Sequence, residues 1–168
     1  MGCDTHMYIE YRRKDNEEKI WRDFGGRINP GRNYFMFGII SEGVRCETTF
    51  SYPPKGMPDD AAYMARNDNQ LYISENEGEG NTTLARAQKW VDSGSCKFVN
   101  GNDGKPTWVT HPDWHSHSWL STAEFEKAME FYRENGHGTE PEYEALLASM
   151  KRFEELGFES RVVFWFDN

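Results

Sequence analysis

The sequence predicts an α/β or α+β sandwich, a single domain over residues 1–168 with its first and last strands central and helices packed on the sheet. Three observations carry this. Residues 3–12 alternate with period two, residues 162–166 form an unbroken apolar run, and two amphipathic helical patterns between them begin on capping signals. A chain of 168 residues has the length of one domain able to bury its own core.

Taken in order, Cys3, Thr5, Met7, Ile9 and Tyr11 point one way as a packing face, and Asp4, His6, Tyr8 and Glu10 form a polar, titratable face opposite. Ile20-Trp21 starts a second short strand or loop, and Gly25-Gly26 through Asn29-Pro30-Gly31 reads as a loop. Tyr34–Ile40 is a short apolar run that periodicity does not resolve, read here as a strand. Prolines at 53, 54 and 58 exclude regular structure over Tyr52–Pro58, and Asp59-Asp60 opens a short helix through Arg66. Residues 67–107 are polar and rich in Gly and Asn. They read as an insertion carrying a helix over Thr82–Asp92, with an exposed tip over residues 100–104. Ser121 with Glu124 forms a capping box for a helix that ends at Asn135-Gly136, and Thr139 with Glu142 predicts a second box. The last strand is Val162–Phe166, a neighbour of the first.

Composition narrows the function classes. With 28 acidic against 19 basic residues and a net charge of −9, the chain lacks the clustered cations that polymeric nucleic acid or an anionic membrane requires. No apolar stretch reaches the length of a membrane span. Asp4 and His6 sit where a signal peptide needs its apolar region, and three scattered cysteines without C-x-x-C read as reduced thiols. The expected location is therefore cytoplasmic.

Chemistry concentrates in His111-Pro112-Asp113-Trp114-His115-Ser116-His117-Ser118-Trp119, with His6 and Asp4 on the first strand and Asp167 after the last. Three readings stay open. Two histidines one residue apart in an extended segment project to one side, so His115 and His117 could ligate a divalent metal such as Zn or Mn with His6 and Asp167. A metal-bound water would then attack a phosphodiester, with His115, His117 and Asp167 catalytic. Alternatively, the histidines satisfy the backbone at a helix entry. In the third reading Trp114, Trp119 and Tyr8 stack on a planar ligand while histidine and arginine bind its phosphate, with Arg32, Arg45 and Arg161 as candidates.

Five blocks of the chain carry a resemblance. Met1-Gly2-Cys3-Asp4-Thr5-His6-Met7-Tyr8-Ile9-Glu10, Arg32-Asn33-Tyr34, the segment Pro53–Asp60, Trp114–Leu120 and Arg161–Asn168 resemble a family of small bacteriophage proteins that opens Met-Gly-Cys-Asp-Ile-His and closes Val-Phe-Trp-Phe-Asp-Asn. Thr5 departs from the usual Ile but keeps the β-branched side of the strand. The resemblance implies a viral context in the host cytoplasm, of the kind in which phage proteins capture or destroy host nucleotide immune signals.

The resulting expectation is a homo-oligomeric, anti-defence type of protein that binds a small nucleotide-type ligand of the cyclic nucleotide or ADP-ribose class. Asp4, His6, Tyr8, Arg32, Trp114, His115, His117 and Trp119 would carry recognition. The alternatives are a metal-dependent phosphodiesterase acting on such a ligand, and a structural or interaction protein.

Overall fold

The strand expected near the start of the chain forms over Thr5–Arg13 and pairs antiparallel along its whole length with the last strand, Phe158–Phe166. A computed structural model describes residues 2–15, 17, 19–100 and 104–168, so the tip expected over residues 100–104 lies partly outside the described residues. In chain order the elements are β1 (Thr5–Arg13), β2 (Arg22–Ile28), α1 (Tyr34–Ile40), α2 (Tyr63–Asp68), β3 (Gln70–Ser74), β4 (Asn81–Thr83) and α3 (Leu84–Asp92). They continue with β5 (Phe98–Asn100), β6 (Pro106–Thr110), β7 (His115–Ser121), α4 (Thr122–Asn135), α5 (Pro141–Glu155) and β8 (Phe158–Phe166). The fold is mixed α/β, with two four-stranded sheets and helices packed on them.

The chain divides into two compact units, Met1–Ala65 with His115–Asn168, and Arg66–Trp114. In the first, the strand order is β2-β1-β8-β7 and every pairing is antiparallel. β1 and β8 are therefore central and adjacent, as the alternating and apolar patterns predict. Met7, Ile9, Leu120, Val162, Phe164 and Phe166 bury one sheet face together with Phe37 and Ile40 of α1, Phe125 and Met129 of α4, and Leu146 and Met150 of α5. The second unit has the order β4-β3-β6-β5, and its small core gathers Ala87, Cys96 and Val109.

Several local expectations need correction. Tyr34–Ile40 is a helix, not a strand: the Asn33 carboxamide accepts the Met36 N–H at 2.9 Å, and Met36–Ile40 are all buried, which erases the polar stripe that would have revealed the period. Gly25 and Gly26 lie inside β2. Gly25 has φ +71 and the β1–β2 register shifts between Met7 and Ile9, so the glycines accommodate a bulge in an edge strand. Asp59 and Asp60 form a turn, and the helix begins at Tyr63. Thr82 and Thr83 end β4, and Thr83 caps α3. The Ser121–Glu124 capping box is present. The Thr139–Glu142 box is not, because Glu140 takes the cap position and Pro141 starts the helix, where its missing N–H leaves nothing to satisfy.

Candidate functional site

The functional side chains are arranged by the period of two in β1 and β8. Cross-strand partners His6–Trp165, Tyr8–Val163 and Glu10–Arg161 share the sheet face opposite the helices, and Trp119 of β7 pairs with Val163 on that same face. The face expected to be polar and titratable is buried at His6, Tyr8 and Glu10. Its polar groups are accordingly paired.

At one end of this face lies a row of rings. His6, Tyr8 and His117 each stack on Trp165, with centroids 5.6, 5.2 and 5.7 Å from the indole. His6 Nε2 meets Asp167 Oδ2 at 2.8 Å, while Asp167 Oδ1 accepts the Asp4 N–H at 2.8 Å. Arg32 grips the Asp4 carboxylate through Nε and Nη2 at 2.5 and 3.1 Å and holds its carboxyl below the usual range. Burial lowers the His6 imidazole despite the opposing pull of Asp167, and it drives His117 down to about 4. The His117 ring is therefore neutral at pH 7, and the Asp167 contact orients the His6 imidazole.

At the other end is a pocket of about 910 Å³ walled by Trp21 and Trp119, with Arg12, Lys14 and Arg161 as its cations. Arg161 is the inner anchor. Its Nε donates to Glu10 Oε2 at 2.7 Å, and its guanidinium stacks 4.0 Å from Trp21 and 5.7 Å from Trp119. Burial raises the Glu10 carboxyl above its ordinary value, against the pull of Arg161 and of the Ala62 N–H at 2.7 Å. Arg12 stacks 4.4 Å from Trp21 and pairs with Glu159, while Lys14 pairs with Glu154. Of the carboxylates lining the pocket, Asp60, Glu154 and Glu159 are partners of its cations and Asp59 is a fourth, so donor N–H groups are presented with no excess of positive charge.

The expected constellation is divided. Asp4, His6, Tyr8, Arg32, His117 and Asp167 meet at the ring row, whereas Trp119 lines the pocket. Trp114 belongs to the second unit, where it stacks on His111 at 4.1 Å. Arg45 Nη2 reaches Asn168 Oδ1 at 3.0 Å and is not among the residues that line the pocket.

His115 and His117 do not project to one side, which corrects the metal reading. Ser116 has φ +52 and the β7–β8 register shifts between His115 and Ser118. This bulge turns His115 onto Phe166 and leaves His117 on Trp165, two successive β8 residues on opposite faces. His115 Nδ1 is 3.0 Å from Ser116 Oγ. Among the described residues no group of three His, Cys, Asp or Glu side chains is placed to hold a metal ion, so His6, His115, His117 and Asp167 do not form a ligand set.

Arg12, Trp21 and Asp60 escape sequence reasoning. Arg12 sits in a basic run that reads as a solvated strand end, and Asp60 in a helix-opening pair. The one available signal was their position. Arg12 falls on the same alternating face as His6, Tyr8 and Glu10, two residues beyond the last of them. Among the described residues no helix is long and apolar enough to cross a membrane. No protein-family model, curated protein or solved structure matches this chain.

Proposed function

We propose that this chain binds a small nucleotide-type ligand, of the cyclic nucleotide or ADP-ribose class, in the pocket between Trp21 and Trp119, and holds it without cleaving it. The observation that carries the reading is one pocket combining two indole walls with guanidinium donors in a volume of about 910 Å³. Small-ligand sites of up to roughly 1,000 Å³ bury most of a ligand's surface and use a few convergent polar groups for orientation. Indole faces suit a nucleobase, and paired guanidinium groups suit a phosphate oxygen. Because each pocket cation already has a protein carboxylate beside it, a singly charged phosphodiester is accommodated more readily than a polyphosphate.

In this reading the protein sequesters a host immune signal in a phage-infected cell, a context that comes from the resemblance of its terminal and central blocks. Self-association into a homo-oligomer belongs to the same proposal. The ring row at the opposite end of the sheet face supplies rigidity, since both histidines stack on Trp165 and His6 is held by Asp167.

The test is ligand capture and release. The full chain is incubated with cyclic dinucleotides and cyclic ADP-ribose compounds, denatured, and the released material is chromatographed. Intact ligand is expected, with capture weakened at least tenfold in Trp119→Ala, as for loss of a base-stacking ring worth about 1–3 kcal/mol. Absence of binding across the panel overturns the reading, and recovery of a new product overturns the claim that the ligand is only held.

A further inference from the structure

The pocket's two arginines converge on one carboxylate that does not belong to the sheet. Asp60 Oδ1 is 3.0 Å from Arg161 Nη1, and Oδ2 is 4.0 Å from Arg12 Nη1 and accepts the Trp21 indole N–H at 3.1 Å. Both guanidinium groups lie against the Trp21 ring, so the three donors share one spot. We propose that this spot is the anion subsite of the pocket, that the Asp60 carboxylate is its resident occupant, and that the phosphodiester of the ligand takes the place of Asp60. The inference rests on the nucleotide reading for the identity of its ligand.

The receptor side is built in and the occupant is loose. The Arg161 side chain is 5% exposed and that of Arg12 is 22% exposed, whereas the Asp60 side chain is 59% exposed. Glu10 holds the Arg161 Nε edge and Glu159 the Arg12 Nε edge, which leaves an Nη group of each directed to an outside acceptor. These pairs orient the donors before any ligand arrives.

The turn that carries Asp60 is anchored independently of its side chain. The Ala62 N–H donates to Glu10 Oε1, the Asp60 carbonyl accepts from Arg161 Nη2 at 3.3 Å, and the Ala61 N–H donates to the Pro58 carbonyl at 3.2 Å. Rotation about the Asp60 Cα–Cβ bond therefore clears the subsite while the backbone stays in place. An exposed carboxylate held by an ion pair of this kind is a weak occupant. It excludes weak anions and yields to a ligand that also stacks on the indoles, which makes Asp60 a selectivity filter as well as a placeholder.

An internal occupant that fills its site about 90% of the time raises the apparent dissociation constant about tenfold. Asp60→Asn and Asp60→Ala in the full chain are therefore expected to bind inorganic phosphate about tenfold more tightly than the parent, read by tryptophan fluorescence at constant ionic strength. Adding Arg12→Gln should abolish that gain. Unchanged phosphate affinity in both Asp60 variants overturns the inference, as does a gain that survives Arg12→Gln. Running the nucleotide panel on the same proteins separates the two ideas. Capture of a nucleotide with equal affinity by parent and Asp60→Ala removes the placeholder and keeps the nucleotide reading. A phosphate gain with no nucleotide captured keeps the subsite and removes the nucleotide reading.

Discussion

Arg161 is the residue on which interior and pocket meet, because one guanidinium neutralises the fully buried Glu10 and also forms the stacked base of the Trp21 wall. Removing it leaves a carboxylate in the core whose only remaining donor in this cluster is the Ala62 N–H. Arg161→Met is expected to destabilise the protein by about 3–5 kcal/mol, while the double variant with Glu10→Met recovers most of that loss, since a buried pair is often replaceable by apolar side chains. Urea unfolding of the parent, the single and the double variant measures it, and a double variant no better than the single one contradicts the account. His117 makes a different prediction, in pH. Burial first, then His115 and His6, hold its imidazole at about 4, below the ordinary 6.5. The unfolded chain therefore takes up this proton before the folded one does. The stability contributed by neutral His117 is complete above pH 6.5 and is lost as pH falls from 6.5 towards 4. The shift sets a ceiling of about 3 kcal/mol, reduced because the ring is only partly buried. Unfolding midpoints at about pH 7.5 and about pH 4.5 should fall less in His117→Gln than in the parent. Equal falls would assign the acid sensitivity to other groups.

Elements differ in how openly their sequence declares them. β8 was legible because Val162–Phe166 is buried on both faces and so reads as an unbroken apolar run, and α4 because Ser121 and Glu124 satisfy each other's backbone groups at its start. α1 was not, since a seven-residue helix surrounded by core has no polar stripe, and its signature reduces to Asn33 three positions before Met36. Within the site, the adjacency of His6 and Asp167 followed from pairing the terminal strands. The separation of His115 from His117 did not, because it depends on a bulge at Ser116 that alternation cannot register. Arg12, Trp21 and Asp60 come together from three separate segments, so no local spacing announces them. Gly38 carries the prediction at this scale. Alanine is the better helix former by about 1 kcal/mol. A Cβ at this position, however, would stand 2.2 Å from the Cys46 carbonyl oxygen, a backbone atom that cannot swing aside. Gly38→Ala should therefore lose about 1–3 kcal/mol despite its propensity gain, seen as a lowered Tm. A raised Tm would mean that the approach of α1 to the Cys46 segment is not tight.

At the scale of the whole molecule, the two units differ in what holds each together. Among the described residues, the unit of Met1–Ala65 with His115–Asn168 has an apolar cluster of 20 buried residues drawn largely from strands and three helices, whereas the cluster of Arg66–Trp114 has three, Ala87, Cys96 and Val109. Burial of apolar area is the main stabilising term in folding, so the second unit has far less of it to oppose the entropy of its chain. Its helix α3 buries only Ala87, and its strands β4 and β5 contribute three residues each. Ligand recognition as proposed above uses groups of the first unit, so opening of the second need not empty the pocket. Native-state hydrogen exchange should then show amides of β3 and β6 opening at lower denaturant than those of β1 and β8, as two steps rather than one. Exchange of all four strands at a single common free energy would show instead that the small core is coupled to the large one and that both unfold as one cooperative body.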